Sequence, residues 1–510
     1  MKKQLLTLFA ACLFLSSYAQ NEDAIKFAGT INKDDLYGHL SILASDALEG
    51  RETGKRGQKM AAAYIRAHFQ ELGLIAPVET AGGKSYFQEF DLENNAPGET
   101  YFKIGDKKIA NGEGTLYWGE KNSNGEQTLE TVFVGEGDTA IFNSMDVKGK
   151  AVVMTAKGGF RVFSQKSNFA DEKGAALVIM LNTDDQKGFD ELIGNWKGFF
   201  MGSQLGFASK KEGTSGGLFF MSPENAAEIM GTTKEKMTKA VTDYKAGKKT
   251  AYRKIKPGKL TYKTERKKDI VPTENVLGFL EGTDKKDEVV IISSHYDHIG
   301  VVGGEINNGA DDDGSGTSSL LEIAEAFVKA KQAGKGPRRS MLFITVTGEE
   351  KGLLGSDYYT RNPTFPLENT VVDLNIDMVG RIDPEHEDKS NYVYLVGSDR
   401  LSTELHQISE KVNETFTQFD LDYTYNDENH PDRIYYRSDH WNFAKNNVPI
   451  IFYFNGTHAD YHKPTDTIEK IEFELMTKRA QLVFHTAWVV ANREDRLVVD
   501  KIKDTTVDKN

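Results

Sequence analysis

The spacing of apolar residues changes twice along this 510-residue chain. Leu36, Leu40 and Leu43 follow Asp34-Asp35, and Ala61, Ile65, Phe69 and Leu72 follow one another across Gln58–Leu72 with Gly73 behind them. Helical spacing with an acidic start and a glycine stop predicts two helices within residues 31–75. Between them Leu48-Glu49-Gly50-Arg51-Glu52-Thr53-Gly54 is a polar, glycine-bearing loop. From about 110 to 260 the apolar runs shorten to Thr131–Val134, Ala151–Met154, Ala176–Met180 and Gly217–Met221, with one helical stretch near Ser164–Gly174. Short runs between glycine turns predict an inserted β-rich domain. Lys254–Lys268 is basic and polar and reads as a return linker. After Thr273, apolar runs at Asn275–Leu280, Glu288–Ser294, Ser340–Thr347, Val371–Ile376 and Pro449–Phe454 alternate with helical segments such as Gly316–Lys331. Such alternation predicts an α/β fold, a mainly parallel mixed sheet with helices on both faces. The expected organisation is therefore residues 20–109 and 261–495 as one domain, 110–260 as the insert, and 496–510 as a polar tail.

Composition narrows the setting. At 39% hydrophobic and 27% charged the chain reads as globular. Lys2 and Lys3, the apolar Leu5–Leu15 and the small-x-small Ser17-Tyr18-Ala19 read as a signal peptide over residues 1–19. The stretch is too short for a comfortable membrane span. Lipoprotein anchoring at Cys12 ranks below cleavage, because Leu13-Phe14-Leu15 carries the apolar run past the cysteine. The expected location is periplasmic or extracellular. Cleavage removes the single cysteine, so the exported chain would form no disulfide and must rely on its core. It also removes two of the 63 basic residues, leaving 61 against 76 acidic ones, a net charge of −15. That balance disfavours nucleic acid and anionic membranes as partners.

Four of the apolar runs end in a potential metal ligand: His295, the pair Glu349–Glu350, Asp377, and a later segment with His458 and His462. Asp311-Asp312-Asp313 stands just before a helix. Ligands of open α/β sheets bind outside the carboxyl ends of the strands, so these residues are expected to converge. Imidazoles and carboxylates without thiols suit a hydrolytic divalent-metal site. Asp297, two residues beyond His295, is expected to orient its ring. His298, taken alone, reads as an ordinary loop histidine. One of the adjacent glutamates is expected to bind metal while the other acts as general base.

In this order the motifs resemble the secreted co-catalytic di-zinc aminopeptidases, relatives of glutamate carboxypeptidase II and glutaminyl cyclase. They are Ser294-His295-Tyr296-Asp297-His298, Gly309–Gly316, Thr347-Gly348-Glu349-Glu350, Asp377-Met378-Val379-Gly380, Ser438-Asp439-His440 and Asp460-Tyr461-His462. Leu40–Gly57 resembles that family's N-terminal signature, and the insert resembles a protease-associated domain at Asp146–Lys150 and Lys173–Ala176. The resemblance implies a zinc exopeptidase fold and two Zn2+ ions. One would be held by His295 and Asp377, the other by Glu350 and His462, with Asp312 bridging. It implies Glu349 as general base, Tyr461 as the oxyanion-stabilising hydroxyl, and His458 as a competitor of His462. Peptides with a free N-terminus are the implied substrates. The alternatives are a carboxypeptidase or dipeptidase, a glutaminyl cyclase, and a non-catalytic ectodomain of the transferrin-receptor type. The oligomeric state and preferred residue stay open.

Overall fold

The computed structural model describes residues 22–119, 121–208, 217–427 and 429–501. The segment read as a signal peptide and residues 502–510 of the polar tail lie outside them. The chain divides into two compact units, one built from residues up to Asp91 and from Pro272 onward, the other from Leu92–Val271.

The first unit holds a mixed sheet with a parallel centre. Its strands are β1 (Phe87–Pro97), β2 (Arg266–Leu280), β3 (Lys285–His295), β4 (Arg339–Val346), β5 (Thr370–Ile376), β6 (Tyr392–Val396), β7 (Asp420–Asp422) and β8 (Ile450–Phe454). From β1 the order is β1-β2-β4-β3-β5-β8-β6-β7. Strands β4, β3, β5 and β8 are successive parallel neighbours, while β2 and β6 run antiparallel at either side. His295 lies opposite Val346, Ser293 opposite Asn375 and Ile376 opposite Tyr453. The four carboxyl ends therefore meet along one edge.

Both faces of the central strands β4, β5 and β8 are buried, as their near-continuous apolar runs require. Val290, Ile292, Val372 and Leu374 join one cluster, with Leu36 and Leu40 of α1 (Lys33–Leu43), Ile65 and Phe69 of α2 (Arg56–Glu71), Phe327 of α3 (Gly316–Gln332) and Phe484 of the helix Phe473–Asn492. The intervening residues Val289, Ile291, Leu342 and Ile344 join another on the opposite face, with Tyr359 of α4 (Leu354–Arg361). This is the two-residue period of a strand. Arg51 is also buried, and donates hydrogen bonds to the carbonyls of Tyr296 (2.8 Å), Asn308 (2.7 Å) and Gly309 (2.9 Å). It fastens the loop between α1 and α2 to two loops that carry candidate site residues.

The second unit is α/β rather than simply β-rich. Gln127–Phe133, Ala151–Thr155, Leu177–Leu181 and Leu218–Met221 are parallel neighbours in an eight-stranded sheet, with helices at Phe160–Glu172, Gln186–Met201 and Lys234–Lys245. The second helix contains Gly188, Gly194 and Gly198, poor helix formers that hide it from the pattern, yet Phe189, Ile193 and Phe200 bury its apolar side. The stretch read as a linker is strand instead. Gly258–Lys263 pairs antiparallel with Gln127–Phe133 and buries Leu260 and Tyr262 at alternate positions, and β2 begins at Arg266. Its lysines mask the alternation because they occupy the outward positions.

Candidate metal centre

His295, Asp377, Glu349 and Glu350 sit at or just past the ends of β3, β5 and β4, and Asp312 lies in the turn before α3. His462 follows β8 on a longer loop. Their donor atoms form two adjoining groups around one carboxylate. His295 Nε2 is 3.3 Å from Asp312 Oδ1 and 3.5 Å from Asp377 Oδ1. His462 Nε2 is 3.1 Å from Asp312 Oδ2 and 3.1 Å from Glu350 Oε2. His458 does not join them; its Nε2 faces Asp311 Oδ2 at 3.2 Å.

The three consecutive aspartates separate by direction. Asp311 accepts from the Gly380 amide (2.7 Å), the Ser315 hydroxyl (2.9 Å) and the Asn455 side chain (3.1 Å). Asp313 accepts from the amides of Gly316 (2.8 Å), Met378 (3.1 Å) and His295 (3.2 Å), so it ties three loops together. Asp312 alone turns to His295 and His462. Its own amide, and that of Asp311, donate to the buried Asp466 carboxylate (3.2 and 3.0 Å). Asp466 is a site residue the sequence reading missed, although it lies in the same loop as His462.

The His295 ring faces the Asp297 backbone rather than its side chain. Its Nδ1 is 3.0 Å from the backbone carbonyl of Asp297 and 3.8 Å from that residue's carboxylate. The carboxylate instead accepts from the Thr53 hydroxyl (2.6 Å) and the Glu349 amide (3.2 Å). On the far side Asp377 accepts from Ser438 (2.7 Å), which accepts from Asn375 (2.9 Å). His298 is no surface residue: it is fully buried, its Nδ1 2.8 Å from Glu350 Oε1. The loop 48–54 covers it, with Arg51 accepting the His298 amide at its carbonyl (3.2 Å). Periodicity within 295–298 carries no trace of so distant a segment.

A pocket of about 30 Å³ adjoins Asp312, Glu349 and Asp377, room for one or two water molecules. Met378, Ile434, Phe452 and Phe454 form its apolar wall, and Arg437 and Tyr461 also line it. Tyr461 stacks on His462 with ring centroids 3.9 Å apart, and its hydroxyl accepts from Arg437 (3.4 Å). Burial raises the Glu349 pKa, and Glu350 and Asp377 add to the rise against the opposing His295. Burial opposes the charge of His462, but Asp312 and Glu350 outweigh it and push the pKa up to about 10.

The residues fit a bound cation. Asp297, Asp311, Asp312, Asp313 and Asp377 are all buried around two buried histidines, and such a surplus of negative charge is costly without a positive partner. Asp312 Oδ2, Glu350 Oε1 and both ring nitrogens of His298 lack any hydrogen-bond partner. His295, Asp312 and Asp377 form one set of mutually close donors, and His298, Asp312 and Glu350 another.

The model for peptidase family M28 matches residues 275–487, the span from β2 to the last helix that carries every donor named above. This domain belongs to peptidase family M28. Among curated relatives, a probable leucine aminopeptidase of Arthroderma otae is 31% identical over 215 residues, 41% of this chain and 55% of its own length. An aminopeptidase of Bacillus subtilis is 27% identical over 232 residues, 44% of this chain and 46% of its own. The chain thus spans about half the length of the curated relatives it matches. The M28 domain and its insert together resemble the solved aminopeptidase from Aneurinibacillus sp. strain AM-1, with a TM-score of 0.56 and 22% identity over 94% of this chain and 98% of that one. This likeness extends the fold match to almost the full chain.

Proposed function

We propose that this chain is an exported M28 metallopeptidase, an aminopeptidase that removes N-terminal residues from peptides with the help of two zinc ions. The observation that carries the reading is the placement of Asp312 between two donor sets, its Oδ1 facing His295 and its Oδ2 facing His462. Imidazole and carboxylate donors suit zinc, and manganese and cobalt accept the same oxygens and nitrogens. When bound, such ions polarise the scissile carbonyl and acidify a water molecule. The rest falls to the chain's own groups. Glu349, on the wall of the small pocket, takes the water's proton and passes it to the leaving amine. A raised pKa suits a carboxylate that must hold a proton for part of each turnover. Tyr461 donates its hydroxyl hydrogen to the carbonyl oxygen as negative charge develops there. Names of the curated relatives support the aminopeptidase assignment. The charged and apolar pattern of residues 1–19 supports export, and no helix among the described residues is long and apolar enough to cross a membrane.

Arg437 favours one second reading. A cation in the pocket wall suits a substrate carboxylate, as in a dipeptidase or carboxypeptidase. The deciding experiment is a panel of aminoacyl chromogenic substrates, N-acetylated versions of them, and N-blocked peptides with a free C-terminus. An aminopeptidase cleaves the first group only. Cleavage of the blocked peptides alone would transfer the assignment to the carboxypeptidase reading.

A further inference from the structure

His298 occupies a place that the five donors discussed above leave unassigned. Its ring is fully buried, lies edge-on to His462 with centroids 5.7 Å apart, and projects Nδ1 to within 2.8 Å of Glu350 Oε1 and 3.7 Å of Asp312 Oδ2. The backbone makes room for it. Gly309 has φ +57°, and a Cβ there would lie 2.6 Å from His298 Cγ and Cδ2. At 2.8 Å a hydrogen bond to Glu350 would be the ordinary explanation. Yet neither His298 Nδ1 nor Glu350 Oε1 has a hydrogen-bond partner, so the two atoms approach without hydrogen-bond direction. Two close lone-pair atoms, both buried and unpartnered, suit a shared cation.

We infer that His298 is a fourth protein ligand at the Glu350 metal position, beside Glu350, His462 and Asp312. Donors about 2.0–2.2 Å from a tetrahedral zinc ion lie roughly 3.3–3.6 Å from one another. The His298 separations of 2.8 and 3.7 Å bracket that range, as the His462 separations of 3.1 Å fall close to it. Nothing in the fold commits the ring proton to Nδ1, which is therefore free to donate its lone pair. This inference rests on the two-metal reading above and makes the two positions unequal. Four protein donors close the Glu350 position in the manner of a structural site, whereas His295, Asp377 and Asp312 supply three and leave an open one. The small pocket adjoins the open side, since Asp312, Asp377 and Glu349 line it and Glu350 and His462 do not. The His295 position is then the more open of the two to water and substrate.

The test uses the full chain, stripped with chelator and titrated with Zn2+ against a chromophoric competitor and with Co2+ by absorption spectroscopy. The wild type should take one equivalent tightly and a second more weakly, the first Co2+ giving the intense visible bands of four-coordinate geometry. H298A should weaken the tight equivalent by more than the roughly 10–100-fold that loss of an orienting neighbour costs, and should lose those bands. H298F is the companion variant: its ring fills the same space but offers no lone pair, so it should bind as poorly as H298A. Melting of both metal-free variants checks that they fold. Unchanged affinity and spectrum in H298A would overturn the inference. So would recovery of wild-type affinity in H298F, which would reduce His298 to a packing role beside Gly309. A wild type that binds fewer than two ions would refute the two-metal reading itself, an outcome separable from either variant.

Discussion

Glu349 and Glu350 are neighbours in sequence, yet they face different surroundings. Glu350 lies against His298 and His462, whereas Glu349 lines the small pocket with Asp312 and Asp377. Glu349→Gln should therefore keep both metal equivalents and the fold while kcat falls by about 10²–10⁴-fold, with KM changing less. Glu350→Gln should lose metal at one position. Metal analysis alongside steady-state kinetics separates them, and a Glu349→Gln enzyme that turns over normally would exclude Glu349 as the base. The residue identities at this scale were legible: each acid or imidazole at a strand end stands out against an apolar run. The directions of side chains were not, because Asp311, Asp312 and Asp313 look alike in a string. Only contacts with Gly380, Asn455, Met378 and the two histidines distinguish them.

At the scale of elements, the turn from β4 into α4 sets where the two glutamates point. Gly355 sits in the first turn of α4, where a Cβ would lie 2.2 Å from the Thr347 carbonyl and 2.5 Å from Asn275 Oδ1. Gly355→Ala must push the helix away from the strand end. It should cost about 1–3 kcal/mol, the usual penalty of overpacking, and should weaken metal binding because Glu349 and Glu350 move with the turn. Gly38→Ala is the control: it lies in α1 with nothing within 4 Å of the new methyl, and should gain roughly 0.5–1 kcal/mol from helix propensity alone. Urea unfolding of both variants with a metal titration checks the pair, and equal effects would refute the argument. Strand ends were readable because apolar runs stop there. The helix Gln186–Met201 and the strand Gly258–Lys263 were not, since glycines and outward lysines mask patterns that only burial reveals.

At the scale of the molecule, the two units have separate apolar cores, one pair of clusters flanking β3, β4 and β5 and another filling Leu92–Val271. A ligand that binds only the native state stabilises the unit that holds it. Chelation should then lower one thermal transition and leave the other in place, and a single transition unmoved by chelator would count against metal binding. Acid should act on the metal-free protein as well. Burial pushes His440 down to about 3 and His485 down to about 4, so both stay neutral in the fold. Below about pH 6.5 the unfolded chain protonates these residues and the native one does not, so stability falls as pH drops from about 6.5 towards 4. The limiting slope is about 1.4 kcal/mol per pH unit for each histidine. His485→Leu should flatten the profile in that window, and an unchanged slope would show that other groups govern it.

The α/β class and the strand ends of the M28 domain are written locally, because apolar periodicity and abrupt polar stops depend on near neighbours in the chain. The stock of nitrogen and oxygen donors is legible in the same way. Which donors meet is a matter of tertiary contacts. Parallel registry brings His295, Glu350 and Asp377 to one edge, while the returning loop after β8 brings in His462 and leaves His458 to face Asp311. The same folding buries His298 beneath a loop some 250 residues earlier in the chain, where Arg51 holds it by the backbone. Convergence of this kind depends on contacts between segments far apart in sequence, and no local spacing encodes it.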